Sequence, residues 1–168
     1  IVNKGGLKIG IFGLGCDPKG IISDKNFAPA KYLAPYPELA QAMVDTLRAQ
    51  NCDVVICLSH MGTFGKAPED FSDVGLAHST RGIDVIIGGH THELHVNHFE
   101  PNLDGDSIPI AQMTKSGDYL GKIMLLLDDK NEKKNKKICI FQKKAVILHR
   151  FSEIGGNQRY SEYKKKNT

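Results

Sequence analysis

The sequence predicts an α/β domain built on a mainly parallel sheet. Two segments share one form: Asp53-Val54-Val55-Ile56-Cys57-Leu58-Ser59-His60 and Asp84-Val85-Ile86-Ile87-Gly88-Gly89-His90-Thr91-His92 each have an acidic start, an apolar run and terminal histidine. A helix-sized connection separates them, and an earlier apolar run, Leu7 to Gly15, closes on glycines. Unbroken β-branched runs are how strands buried in a parallel sheet read. If both histidine-ended strands share one sheet, His60, His90 and His92 leave it at the carboxyl edge, where open α/β sheets bind ligands. Imidazoles gathered there point to a metal or phosphate site.

The elements follow in order. Leu7 to Gly15 is a first buried strand running into a glycine turn. A dinucleotide-binding turn would need another glycine three residues after Gly15, where Pro18 stands instead. Residues 16 to 36, with Pro18, Pro29 and Pro35, read as a loop crossing the sheet edge. Pro37 opens a helix whose stripe is read as Leu39, Ala42, Met43, Thr46, Leu47 and Gln50, with Glu38, Gln41, Asp45 and Arg48 toward water. The helix ends near Asn51 and the first histidine-ended strand follows. Residues 61 to 71 form a loop suited to lie over a ligand. A short helix covers Ser72 to Ser79, capped by Ser72 or Asp73, with Val74, Leu76 and Ala77 apolar. Strand, helix and strand then make a βαβ unit with a right-handed crossover.

After His92 the pattern turns antiparallel. His95 to Phe99 and Ile108 to Met113 are strands around the turn-rich Pro101 to Asp106. Tyr119 to Asp128 and Ile138 to Leu148 make a further pair, joined by the charged hairpin loop Asp129 to Lys137. The domain is read as residues 1–150, and residues 151–168 as a polar tail.

The chain has 168 residues, 40% hydrophobic, which is enough for one domain with a real core. Its net charge of +3 is small, and the lysines concentrate at 133–144 and 164–166, in loop and tail, which argues against a nucleic-acid or membrane partner. Cys16, Cys52, Cys57 and Cys139 lack CxxC spacing and mostly lie in or beside apolar runs, as buried thiols do. No stretch approaches the roughly 20 apolar residues of a membrane span, and no signal-peptide pattern occurs. The chain starts at Ile1 and is in a strand by Leu7, as though it began within a domain.

Ser59-His60, the run Gly88-Gly89-His90-Thr91-His92, and the later Ser116-Gly117 and Leu120-Gly121-Lys122-Ile123 resemble the 5′-nucleotidase branch of the calcineurin-like metallophosphoesterases, from about Leu7 to Asp128. The resemblance implies an α/β/β/α sandwich, here lacking its amino-terminal half. It also implies a phosphoester substrate, a nucleotide above all, and an extracytoplasmic location, periplasmic or secreted. Two divalent metal ions belong to the complete enzyme, of the zinc, manganese or iron class. By the same resemblance His60 and His90 bind one ion and His92 the other. The family takes its bridging carboxylate and transition-state histidine from Asp-x-His, Gly-Asp and Asn-His motifs at the amino-terminal side, none of which precedes His60. The resemblance therefore identifies no catalytic acid, base or nucleophile in this chain.

The residue chemistry fits such a site without the family. Neutral imidazole suits these metals, and a metal pair about 3.5–4 Å apart can clamp a phosphoryl group during in-line displacement. Thr91, between two of the histidines, is a candidate to hydrogen-bond and orient a ligating residue. His78 reads as a helix-surface residue and His149 as a tail residue. His95 and His98 are ordinary strand positions or substrate-edge contacts. Asp53 and Asp84 begin their strands about 20 Å from the terminal histidines, at about 3.3 Å per residue, too far to bridge metals held there. Two other readings stay open: a non-catalytic metal-binding or structural fragment, and a mononuclear three-histidine zinc hydrolase.

Overall fold

A computed structural model of the chain describes residues 1–17, 22–27, 36–65, 71–127 and 136–139. The strand expected over Ile138 to Leu148 is therefore seen only to Cys139, and the tail from Phe151 lies outside the described residues.

Strands β1 (Val2–Lys4), β2 (Leu7–Gly15), β3 (Val54–His60), β4 (Val85–Ile87), β5 (Leu94–Pro101) and β6 (Ser107–Met113) form one six-stranded sheet in the order β1-β2-β3-β4-β6-β5. The four inner strands are parallel, while β1 and β5 pair antiparallel at the two edges. The two histidine-ended strands are thus direct parallel neighbours, with Ile56, Cys57 and Leu58 opposite Val85, Ile86 and Ile87. A separate antiparallel pair, β7 (Met124–Leu127) with β8 (Lys136–Cys139), forms in the region of the expected hairpin, but β7 starts at Met124 rather than Tyr119 and β8 starts within the segment read as loop. Within the segment read as loop, a short helix α1 (Asp24–Phe27) also forms.

Helix α2 (Tyr36–Ala49) and helix α3 (Asp73–Ser79) lie against one face of the sheet. Their buried side chains, Ala40, Val44, Leu47, Leu76 and Ala77, pack on Phe12, Val55, Cys57, Ile86 and Ile110. Gly10 lets α2 approach, because a Cβ there would stand 3.0 Å from both methyl carbons of Leu47. Ser72 caps α3 as expected, its hydroxyl accepting the Gly75 amide at 2.9 Å.

The apolar stripe of α2 differs from the sequence reading. Tyr36, Ala40, Val44 and Leu47 face the core, and Met43 and Ala42 are exposed. Both stripes share Leu47, so a rotation of the helix by part of a turn separates them; the small Ala40 seats against the sheet where the larger Met43 cannot. Arg48, expected in water, instead bonds Asp84 Oδ2 and the Gly82 carbonyl, both at 2.7 Å, and the Cys52 carbonyl at 2.9 Å. It ties the helix end to the starts of β3 and β4.

On the face away from the helices the inner strands are covered at their amino ends, where Val54 and Val85 are buried, and β6 is buried on both faces from Ile108 to Gln112. Along β3, Val55, Cys57 and Ser59 are buried while Leu58 and His60 are exposed, and Ile11 and Ile87 are open as well. Unbroken hydrophobicity predicted cover on both sides, and past Val54 and Val85 one side is apolar yet exposed.

Candidate metal centre

Parallel register brings the histidines to one edge. His60 ends β3 opposite Gly15 of β2. Ile87 lies opposite Leu58, so the Gly88-Gly89-His90 turn begins at the level where β3 ends. The rings of His60 and His90 lie edge to face, centroids 5.3 Å apart and planes at 73°. Both side chains are exposed, and no hydrogen bond within the described residues occupies their ring nitrogens.

The two glycines explain how the rings get so close. A Cβ at Gly89 would stand 3.0 Å from His60 Nδ1, and one at Gly88 would collide with the Asp73 carboxylate. Gly62 is similarly constrained, at φ 93°, with its Cβ direction 2.8 Å from Thr91 Cγ2. His90 and His92 themselves adopt left-handed backbone, φ 82° and 59°. Such a conformation costs an L-residue about 1–2 kcal/mol, and it clusters at functional turns.

Thr91 anchors this turn. Its hydroxyl donates to Glu93 Oε2 at 2.9 Å and accepts from Gln112 Nε2 at 2.8 Å. The contact therefore runs to the turn's own support on β6, and not to an imidazole. His92 is exposed, and no ring contact or hydrogen bond among the described residues joins it to His60 or His90. Among the described residues no three histidine, cysteine or carboxylate side chains are gathered closely enough to enclose an ion.

Asp73 is the buried charge beneath the site. It is fully enclosed at the start of α3; Ser59 Oγ donates to its Oδ1, and its Oδ2 has no hydrogen-bond partner. Burial pushes its carboxyl up to about 6, against the opposing effects of the Ser59 bond and the charge of His95. The Asp73 amide also donates to the Gly62 carbonyl at 2.8 Å. Asp73 thereby fixes both the residue before His60 and the loop after it. Burial, with Asp73 nearby, pushes the Cys57 thiol up to about 12.

The other acidic and histidine residues take distinct places. Asp84 Oδ2 accepts the Val55 amide at 2.6 Å and Asp53 Oδ2 the Lys8 amide at 2.8 Å, so both are structural groups at the amino end of the strands. His78 is an exposed residue of α3 paired with Glu100 at 2.9 Å. His95 and His98 are mostly covered, and Phe64 stacks near both rings. Sequence reading gave Glu93, Glu100 and Phe64 no role beside them. The spacing Glu93-x-His95 and His98-x-Glu100 was the available signal, since alternate residues share a strand face.

No family model matches the chain. A snake venom 5′-nucleotidase from Gloydius brevicauda is 27% identical over 146 residues, covering 77% of this chain and 23% of that protein. The structure of a 5′-nucleotidase precursor from Thermus thermophilus superposes with a TM-score of 0.62 at 25% identity, over 85% of this chain and 28% of that one. The calcineurin-like phosphoesterase YfkN from Bacillus subtilis superposes with a TM-score of 0.56 at 24% identity, over 79% of this chain and 42% of that one. The fold is therefore that of a metallophosphoesterase-type α/β domain, present in part. Within that class the chain's homologues are the 5′-nucleotidases, as the Gly88-to-His92 run indicated. The chain spans about a quarter of the length of the curated relatives it matches, 23% and 26% for two of the venom proteins.

Proposed function

We propose that this chain contributes part of the catalytic centre of a metal-dependent phosphoester hydrolase, a 5′-nucleotidase-like phosphomonoesterase acting on nucleotides with two divalent ions. The observation that carries this reading is the approach of His60 and His90, two imidazoles without a hydrogen-bond partner among the described residues, ring centroids 5.3 Å apart at the carboxyl edge of adjacent parallel strands. The donor set fits one ion: His60 and His90 would hold it, and His92, on the same strained turn, would hold the second. Divalent ions of the zinc, manganese or iron class supply Lewis acidity toward a phosphoryl oxygen and activate water at neutral pH.

The chain's own residues supply position. Gly89 lets the turn lie against β3 and Gly88 lets it lie against Asp73, Thr91 locks it to Gln112, and the Asp73–Ser59 bond sets the end of β3. The Asp73 carboxylate is enclosed on the helical side and does not serve as a bridge between ions. That absence of a carboxylate beside the pair, within the described residues, supports a site completed by another segment. It equally favours the second reading, a non-catalytic metal-binding or structural fragment. The venom origin of several relatives supports an extracytoplasmic location.

Equilibrium dialysis of the 168-residue chain with manganese or zinc, beside a nucleoside monophosphate hydrolysis assay, tests the reading. Binding that depends on His60 and His90, with little turnover by the chain alone, is the expected result. Turnover on the order of 1–1000 per second would overturn the partial site, and binding indifferent to both histidines would overturn the metal assignment.

A further inference from the structure

The edge strand β5 carries a second histidine constellation. His95 Nε2 lies 3.0 Å from Glu93 Oε2, and His98 Nε2 lies 2.6 Å from Glu100 Oε1. The remaining ring nitrogens face each other, His95 Nδ1 to His98 Nδ1 at 3.4 Å. In a regular strand, residues three apart point to opposite faces. Here the register with β6 shifts between His95 and His98, and Asn97 takes φ 56°, so a bulge turns both imidazoles to one side.

Donor placement decides what such a pair can hold. Glu93 and Glu100 occupy the two Nε2 atoms, which leaves each Nδ1 facing the other. An imidazole held through one ring nitrogen can offer the other as a metal ligand. A shared hydrogen is one candidate for the space between them, but 3.4 Å is long for an N–H hydrogen bond. Tetrahedral zinc, with Zn–N of about 2.0–2.1 Å, sets two ligand nitrogens about 3.3–3.4 Å apart.

We infer that His95 and His98 form a binding site for a zinc-class divalent ion, separate from the His60 and His90 centre, with Glu93 and Glu100 orienting the two imidazoles. Carboxylate to histidine to metal is the usual way a ligating imidazole is held. The two sites lie on different faces of the sheet. Ser59 bonds α3, so His60, next along β3, points to the other side, whereas β5 is joined to α3 through His78 and Glu100. Phe64, with its ring centroid 5.6 and 5.5 Å from the two imidazoles, shields the pair on one flank, and the His95 and His98 side chains keep 16% and 17% exposure, which leaves an ion a way in. Two protein donors leave the ion's other positions to water. Loading expels any shared proton to solvent.

Cobalt, as a spectroscopic stand-in for zinc, tests this in a chain whose His60, His90 and His92 are all replaced by alanine. One bound ion with a tetrahedral visible spectrum is expected, lost on adding His95→Ala or His98→Ala. Glu93→Gln with Glu100→Gln, which keeps both imidazoles, should weaken binding about 10–100-fold. Should these variants fail to fold, imidazole nitrogen spectra of the unaltered chain decide: zinc must shift His95 Nδ1 and His98 Nδ1 and leave the His78 ring nitrogens unchanged. A folded triple variant that binds no cobalt, or zinc that leaves both Nδ1 signals unmoved, would overturn the site. Neither result bears on metal at His60 and His90.

Discussion

The backbone of Gly88 rests against the carboxylate of Asp73, so closely that a Cβ at Gly88 would overlap Asp73 Oδ2. One glycine of the histidine turn is thus required by a buried acid on a helix. That acid in turn hydrogen-bonds Ser59, the neighbour of His60. The contact links the two histidine-bearing segments through α3.

Gly88→Ala should therefore destabilise the fold by about 1–3 kcal/mol, the usual cost of forcing an extra methyl into a packed site. Gly105→Ala, where a Cβ would meet nothing within 4 Å, lacks that overlap, although its φ of 81° adds backbone strain. Urea denaturation of both variants checks the difference; the clash account requires Gly88→Ala to lose more.

Asp73 gives stability a pH dependence of definite sign. Its carboxyl titrates near 6 when folded against 3.8 as the ordinary value, so between these pH values the folded chain binds more protons than the unfolded one. Stability falls as pH rises through that window, by a total on the order of 3 kcal/mol at about 1.4 kcal/mol per unit. Asp73→Asn keeps an acceptor for Ser59 and should flatten that part of the profile. Parallel urea midpoints for the two proteins, measured across the window, provide the check.

His90→Ala should lower affinity for manganese or zinc at the His60 centre by at least tenfold, whereas His78→Ala should leave that centre unchanged. His78 is paired to Glu100 on the surface of α3, away from the turn. Dialysis of both folded variants separates a ligand from a helix-surface residue, and equal losses would erase that separation.

Cys57 should resist alkylation in the native chain. It is fully buried, and a thiol pushed up to about 12 carries almost no thiolate at neutral pH. Cys16 is partly exposed and should react before Cys57. Mass mapping of iodoacetamide adducts before and after denaturation gives the order.

Local signals were enough to place β2, β3, β4 and α3. Apolar runs bounded by Gly, Asp and His mark β2, β3 and β4, and Ser72 ahead of Asp73 marks the helix start, because capping and turn chemistry act over a few neighbouring residues. The family resemblance was legible for the same reason, since Gly88 to His92 is contiguous. The face of α2 was not. Leu39, Ala40, Met43 and Val44 offer two overlapping stripes, and the close approach at Gly10 selects the one through Ala40 and Val44. Regular alternation would set residues three apart, such as His95 and His98, on opposite faces, and the register shift between them with the bend at Asn97 turns them to the same side. Sequence alone determined that the histidine-ended segments become strands and which residues could ligate, whereas the short edge strand β1 carried no sequence signal. Tertiary structure alone decided that His60 meets His90, that Asp73 lies under Gly88 and that the two Nδ1 atoms of β5 converge, because each depends on register and packing between segments far apart in the chain.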